Sequence, residues 1–381
     1  MEHKTIIIGG GAGALMLASL LPPGHAVIVE ANAKAGEKIR ISGGGKCNIT
    51  NAVMDASCYL GESTFVERIL NRFDEKVLLA WLNRKGLQPV LRKAHQYFCP
   101  NTSQELLELL LREGRKQRFL FREKVIDVRK RGDMFYVKTN KRTLTASNVV
   151  VASGGLSFPK LGASGIGYKI AKVFGHTVRK TAPALVGLTV QKEQFFFKSL
   201  AGISTDVEIW VGEHCCHGSL LFAHKGISGP AVLDASLYWE KGKITIDFLP
   251  GFSWESLKRS NKNISSLLPM PKRLTKAFLL QFGIEDKAAK HLSKVSIDRL
   301  KGLHTYHFAP AGTFGYSKAE VTKGGVATDE IDPATMMSRY VKGLYFVGEV
   351  LDVTGQLGGY NFQWAFSSAF VCAKSLGRGK Q

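Results

Sequence analysis

The sequence predicts an α/β fold in which both ends of the chain build one Rossmann-like domain. Three observations predict it. A β-branched run leads into a glycine-rich turn at 5–14, a second apolar strand ends on an acidic residue at position 30, and a strand, a glycine-rich loop and a helix return at 343–373. The segment between them changes character twice, so we expect two inserts in this domain.

The pattern along the chain predicts three domains. The Rossmann-like domain would comprise residues 1–183 and 320–381, a β-barrel residues 184–252 and 304–319, and a small helical insert residues 253–303. Short alternating strands at 205–211 and 243–248 favour the barrel, whereas the insert is rich in lysine and helical in composition. Before the barrel, residues 65–85 and 103–117 are typical of helices, and 125–128, 135–139 and 149–152 of strands.

The charge of the chain indicates what kind of partner it binds, and its cysteine content indicates the cell compartment in which it folds. The chain has 52 Lys and Arg against 31 Asp and Glu, a net charge of +21. Segments 84–142 and 253–304 carry +10 and +7 of it, which favours a polyanionic partner such as RNA over the alternative of a merely solvated basic surface. Six scattered cysteines without a CxxC pair exclude a disulfide framework and a zinc finger. We therefore expect a soluble cytoplasmic protein with no membrane partner.

The N-terminal turn carries a dinucleotide-binding fingerprint. Gly9 permits the tight turn, Gly11 lets the backbone approach a pyrophosphate, and the small Ala14 allows helix and strand to pack closely. Glu30, at the end of the second strand, can accept hydrogen bonds from ribose hydroxyls. NAD and FAD both use this fingerprint. The return of the chain through Gly348-Glu349 and 358–361 favours FAD, since a simple dehydrogenase has no need of it.

Six sequence blocks carry a resemblance to a known family. They are RISGGGKCNITN at 40–51, ASGGLSFPK at 152–160, LFAHKGISGP at 221–230, VTKGGV at 321–326, GEVLD at 348–352 and GGYNFQWA at 358–365. Their order over most of the chain resembles the BaiN/RdsA family of FAD-dependent oxidoreductases. The departures are few: Ala14 replaces the usual third glycine, Lys46 stands where arginine is common, and Gly355-Gln356-Leu357 replaces Gly-Pro-Thr.

The resemblance implies a two-dinucleotide-binding-type flavoprotein with FAD as cofactor. Together with the fingerprint it assigns the FAD contacts to Gly9, Gly11, Gly13, Ala14, Glu30, Lys38, Ser42, Gly43, Gly44, Lys46, Cys47, Asn48, Val125, Ala152, Gly154, Gly348, Glu349, Gly359, Asn361 and Phe362. No second fingerprint for NAD(P)H is visible, so we expect NAD(P)H to act as a transient electron donor.

The family name implies reduction of a carbon–carbon double bond conjugated to a carbonyl. Hydride then adds to the β carbon, charge develops on the carbonyl oxygen, and an acid protonates the α carbon. Uridine fits this scheme, with dihydrouridine in 23S ribosomal RNA as product, and the charge favours that substrate. A small enone such as a steroid or bile acid fits the chemistry equally well. A third hypothesis is that the protein is a flavin-containing, RNA-binding assembly factor that catalyses no reaction.

Three residues are candidates for catalysis, each with a structural alternative. Cys47 could donate a proton or simply pack on the cofactor, His224 could donate a proton or cap its turn, and Tyr360 could face the ring or pack. His95 and Tyr97 are candidates for an RNA-facing mouth, with ordinary exposed loop residues as the alternative.

Two further clusters are expected to be structural. The run His-Cys-Cys-His at 214–217 is not expected to hold a metal, because adjacent residues on a strand alternate faces. The three phenylalanines at 195–197 could stack bases, but burial of the rings in the barrel is the favoured reading.

Overall fold

The computed structural model describes residues 2–92, 95–257 and 260–377. Lys93, beside the predicted mouth residue His95, lies outside the described residues. The strands are β1 (Glu2–Ile8), β2 (Ala26–Val29), β3 (Asn48–Asn51), β4 (Tyr59–Leu60), β5 (Val90–Leu91), β6 (Gln96–Phe98), β7 (Arg118–Leu120), β8 (Val125–Arg131), β9 (Met134–Thr139), β10 (Thr143–Val151), β11 (Ala182–Ala184), β12 (Leu188–Thr189), β13 (Ser204–Val211), β14 (His214–Ala223), β15 (Gly226–Ser228), β16 (Ile244–Asp247), β17 (Tyr306–Phe308), β18 (Gly312–Thr313), β19 (Val321–Lys323), β20 (Leu344–Phe346) and β21 (Thr354–Gly355). The α-helices are α1 (Ala12–Leu20), α2 (Glu37–Ile41), α3 (Ser63–Leu70), α4 (Glu75–Arg84), α5 (Ser103–Gly114), α6 (Ile166–Val173), α7 (Pro230–Tyr238), α8 (Lys272–Gln281), α9 (Lys294–Lys301) and α10 (Tyr360–Gly377).

The chain divides into two compact units. The first unit comprises Met1–Pro183 with Glu320–Gln381, and the second comprises Ala184–Ala319. The second unit is thus an insertion in the sequence of the first, and segments from both halves of the chain build the first unit.

A parallel sheet forms the centre of the first unit. Strands β7, β2, β1, β10 and β20 lie side by side in that order and run parallel. The first half of β10 also pairs antiparallel with β9, which pairs with β8. Because the strand order reverses direction at β1 and β10, the carboxyl ends of these two strands border the crevice where such sheets bind ligands.

The central strands are β-branched and buried, as a sheet covered on both faces requires. Ile6, Ile7, Val27 and Ile28 are fully buried. Helix α1 packs against α5 and α10, so the N-terminal and C-terminal segments share one hydrophobic core.

Helix boundaries follow capping side chains more closely than hydrophobic pattern. The predicted helical stretch at 65–85 consists of two helices, because the Asp74 carboxylate accepts a hydrogen bond from the Val77 N–H and starts α4. Helix α5 begins at the predicted Ser103, after a capping box formed by Thr102 and Glu105.

The second unit contains an antiparallel sheet. Its strand order is β17, β16, β13, β14, β15, β12, β18. The two end strands, β17 and β18, are separated by three residues of sequence, so a link of at most about 14 Å joins the sheet's edges and the sheet curls towards a barrel. Residues of α8 such as Leu274 and Phe278 share one core with Phe222 and Phe248 of the sheet region. The predicted α/β class with an antiparallel insert is confirmed.

Candidate functional site

The turn between β1 and α1 leaves room above the start of the helix. Gly9 has φ +103°, and a β-carbon there would lie 2.6 Å from the carbonyl oxygen of Ala152. Around Gly11, in contrast, no described atom lies within 4 Å of the place a β-carbon would take. Helix α1 begins there without a side-chain cap among the described residues, with Gly13 and Ala14 in its first turn. Its amides and dipole suit an anion such as a pyrophosphate.

Glu30 fixes this turn from the end of β2. Its Oε2 accepts a hydrogen bond from the Gly10 N–H at 2.6 Å, and its Oε1 accepts one from the Asn32 N–H at 2.7 Å. Burial raises the pKa of this carboxyl, while the two amides act in the opposite direction. A carboxylate oxygen can accept more than one hydrogen bond, so Glu30 can also accept from a ribose hydroxyl.

Val125 begins a strand that starts beside Glu30. The Glu123 N–H donates to the Glu30 carbonyl at 3.0 Å, two residues before β8 begins. The segment just before the predicted adenine neighbour Val125 is therefore joined to the backbone of Glu30.

A run of glycines folds the segment after α2 into a tight turn. The Cys47 N–H donates to the Ser42 carbonyl at 3.1 Å. Gly43, Gly44 and Gly45 all have positive φ, and the β-carbon positions of Gly44 and Gly45 have no neighbour within 4 Å among described atoms. This backbone is open to close approach by a ligand.

The residues that follow this turn differ in exposure. The Lys46 side chain is exposed, whereas Asn48 is half-buried with its side-chain amide 2.7 Å from Oε1 of Gln96. Asn48 is thus held by β6 as well as by its own strand.

A charged pair joins α2 to the C-terminal part of the first unit. Nζ of Lys38 lies 2.8 Å from Oε2 of Glu349, and the other carboxylate oxygen accepts from the Thr322 N–H at 2.9 Å. The Thr322 hydroxyl in turn accepts from the Leu156 N–H at 2.8 Å. Gly154, with φ +70°, lies in the same loop. Two predicted cofactor residues, Lys38 and Glu349, are therefore in contact.

A side chain at the start of α10 forms hydrogen bonds with the backbone of the loop that precedes the helix. The Asn361 side chain exchanges two hydrogen bonds with the Gly355 backbone, at 2.9 and 2.8 Å. Gly359 has φ +96°, with the Thr50 backbone 2.7 Å from its β-carbon position. Asn361 therefore shapes the loop before the helix.

Two other predicted contacts near α10 are packed inside the first unit. The Gly348 N–H donates to the Ser368 hydroxyl at 3.0 Å. The Phe362 ring stacks on Phe366, with centroids 5.9 Å apart.

The three catalytic candidates differ in burial. Cys47 is fully buried and Tyr360 is 7% exposed, with its ring edge-on to Tyr59. A hydrogen bond with Cys99 and burial raise the pKa of the Cys47 thiol. His224, in the turn between β14 and β15 of the second unit, is exposed.

Sequence reasoning missed Gly10, Thr322 and Cys99. Gly10 and Thr322 lie inside motifs that were recognised, but their roles depend on Glu30 and Glu349. Cys99 gives no signal in the sequence, because only the pairing of β3 with β6 brings it to Cys47.

Comparison with known proteins shows which family the chain belongs to. The model of the family described as "HI0933-like protein Rossmann domain" matches residues 3–375. The chain belongs to this family. The ribosomal RNA dihydrouridine synthase of Haemophilus influenzae is 39% identical to this chain over 98% of both chains. Its namesake in Escherichia coli is 38% identical over 98% of both chains.

A relative with a different substrate is also similar. The 3-dehydro-bile acid delta(4,6)-reductase of Clostridium scindens is 31% identical over 98% of both chains.

Among solved structures, quinol–fumarate reductase has a TM-score of 0.54 at 14% identity, and the match covers 99% of this chain and 71% of the reductase chain. The two proteins therefore share a fold, although their sequences differ at most positions. In the described part of the chain, every helix is too short or too polar to cross a bilayer.

A cavity in the first unit is lined by three arginines. Arg68, Arg72 and Arg339 surround a volume of about 230 Å³ together with Asp332 and neighbouring backbone. Within the described ranges none of the three forms an ion pair, whereas Nη1 of Arg72 donates to the Ala334 carbonyl at 2.8 Å. Three guanidinium groups against one carboxylate make the cavity suitable for a phosphate.

Proposed function

We propose that this protein is a cytoplasmic FAD-dependent reductase that converts uridine to dihydrouridine in 23S ribosomal RNA, with NAD(P)H as electron donor. The observation that carries the proposal is the open space at Gly11 with Glu30 beside it, in a chain 39% identical to a ribosomal RNA dihydrouridine synthase. When bound, FAD supplies hydride for a carbon–carbon double bond next to a carbonyl.

The residues around the two glycine turns fit a dinucleotide. The N-terminus of α1 would bind the pyrophosphate, and Glu30 would accept from the ribose. The exposed backbone at Gly44 and Gly45 would lie along the cofactor, and Glu349 would hold Lys38 at its side. The open space within 4 Å of the Gly11 β-carbon position supports placing the pyrophosphate there.

A proton must reach C5 of uracil, and His224 is the best candidate to deliver it. Cys47 and Tyr360 are buried, and the Cys47 thiol forms a hydrogen bond with Cys99. His224 is exposed in the turn that precedes Gly226. A histidine side chain can act as a general acid, which is the role proposed here for His224.

Ribosomal RNA as substrate is supported by charge on both units. On α8, Lys272, Arg273 and Lys276 are exposed, while Leu274 and Phe278 face the core. In the first unit the arginine-lined cavity offers a site for a backbone phosphate. Each phosphate contact releases counterions and makes RNA binding salt-dependent.

The test is anaerobic turnover on RNA. Protein loaded with FAD is reduced with NADH or NADPH and then mixed with 23S ribosomal RNA that lacks the modification. We expect the flavin to be reoxidised and a uridine to gain about two daltons, the mass of two hydrogens. A flavin that stays reduced with this RNA, yet is reoxidised by a conjugated enone, would overturn the proposal.

The second candidate is a small-molecule enone reductase. The relative from Clostridium scindens, which is named for a bile acid, favours it at 31% identity. A 3-keto-4-ene bile acid in the same reoxidation experiment distinguishes the two candidates, because each candidate expects a different substrate to reoxidise the flavin.

A further inference from the structure

The hairpin of β13 and β14 presents one face to the core and one to solvent. In its register Glu208 lies opposite His217, and Ile209 lies opposite Cys216. Directly paired residues share a face and neighbours alternate. Ile209 and Cys216 are buried, whereas Cys215 and His217 point outward with Glu208.

Three different donor atoms meet on the outward face. Sγ of Cys215, a ring nitrogen of His217 and a carboxylate oxygen of Glu208 all lie within 4.8 Å of one another. Nδ1 of His217 is 3.4 Å from Oε1 of Glu208. Around a tetrahedral zinc ion with bonds of about 2.0–2.3 Å, ligand atoms are about 3.5 Å apart. Small side-chain rotations would therefore bring all three atoms to bonding distance.

We propose that Glu208, Cys215 and His217 form a binding site for a zinc-class divalent cation. Thiolate and imidazole select such ions over Mg²⁺ and Ca²⁺, which prefer oxygen ligands alone. Three protein ligands on an exposed face leave the fourth position to water or to a group from outside the chain. The site is separate from the proposed flavin chemistry.

The site differs from the one that the sequence run suggests. Four neighbouring residues at 214–217 cannot all bind one ion, because neighbours on a strand point to opposite faces. His214 and Cys216 are accordingly not part of the proposed site. His214 stacks on Tyr238, with ring centroids 3.9 Å apart. The third ligand comes instead from the partner strand, through the register that places Glu208 opposite His217.

Burial, and then the nearby Glu208 carboxylate, raise the pKa of the Cys215 thiol. A zinc-class ion binds the thiolate form of cysteine, so binding at Cys215 should release the thiol proton.

The test is titration of the chelator-treated, FAD-loaded protein with Co²⁺, followed by displacement with Zn²⁺. We expect one equivalent of Co²⁺ to give ligand-field bands to the red of the flavin absorption, and Zn²⁺ to abolish them. Cys215→Ser, His217→Gln and Glu208→Gln should each weaken or abolish the stoichiometric phase. His214→Gln and Cys216→Ala, on the other face of the same strand, are the matched controls and should retain it.

A second measurement identifies the cysteine without spectroscopy. Zn²⁺ should protect Cys215 from alkylation, as read by peptide mass spectrometry. Absence of stoichiometric binding in the wild-type protein, or equal loss in His214→Gln and His217→Gln, would overturn the proposal. Flavin content and RNA reduction serve as folding checks, and their failure in the wild type would instead count against the proposed function.

Discussion

Lys38 and Glu349 are 311 positions apart in the chain, yet Nζ of Lys38 lies 2.8 Å from Oε2 of Glu349. The same carboxylate accepts the Thr322 N–H. The contact links α2 of the N-terminal half to the segment after β20, and both residues are assigned to the cofactor by the family resemblance.

Replacement of Glu349 by Gln should weaken FAD binding by about fivefold. The side chain of Lys38 is 36% exposed, so loss of the pair costs at most about 1 kcal/mol. FAD titration of the apoprotein, followed by flavin fluorescence, measures this change. Glu37→Gln, which removes a 3.8 Å pair with Arg40 on the same helix α2, is the control and should bind FAD normally. Equal affinity of the two variants would contradict the assignment.

Gly11→Ala should abolish FAD binding without destabilising the protein. Gly11 has φ −81°, which alanine adopts freely, and its β-carbon would enter the open space where we propose the pyrophosphate. Gly302→Ala is the matched control, since that glycine also has a negative φ of −60° and open space. Thermal unfolding should be unchanged in both apoproteins. Normal FAD content in Gly11→Ala would place the pyrophosphate elsewhere.

His224→Gln should slow flavin reoxidation by RNA by about 100-fold or more, the typical contribution of a general acid. Reduction of the flavin by NAD(P)H should stay within a few-fold of the wild type, because no proton to uracil is involved. Cys47→Ala and Tyr360→Phe should change RNA-dependent reoxidation only a few-fold, since both residues are buried. A large loss in Cys47→Ala with normal flavin reduction would reassign the proton donor.

Replacing Lys272 and Lys276 together by Gln should weaken RNA binding and flatten its salt dependence. If both lysines contact phosphates, the slope of log K against log salt should decrease by about 1.5. The two side chains are exposed one turn apart on α8. The exposed Lys241 and Lys243, before β16, provide a control pair of equal charge. An equal effect of both pairs would indicate general attraction rather than a binding face.

His176→Gln should reduce the loss of stability at acidic pH. Nδ1 and Nε2 of His176 lie 2.9 Å from Glu330 and 2.8 Å from Ser338, and burial lowers the pKa of His176 from 6.5. Below about pH 6.5 the unfolded chain therefore binds a proton that the folded protein does not, and stability decreases. Urea unfolding at about pH 7.5 and 5.5 should show a smaller decrease in the variant. The same decrease in both proteins would exclude His176 as the cause.

The elements that the sequence predicted well are those whose cause is local. Gly9, Gly11 and Ala14 follow from the turn that a strand makes into a helix, and Glu30 from the end of the next strand. The predicted helical stretch at 65–85 was less accurate, because its hydrophobic pattern continues across the point where Asp74 caps a new helix. Such an N-cap is one hydrogen bond, and it starts a new helix without changing the hydrophobic periodicity.

The sequence by itself determined the α/β class and predicted the residue types of a dinucleotide site, because turns, strands and charge depend on neighbours along the chain. Only the tertiary structure decided that Lys38 meets Glu349, that Cys47 meets Cys99, and that Glu208 joins Cys215 and His217. Such contacts depend on strand register and on packing between distant segments, and a shift of one residue in register turns a side chain to the opposite face.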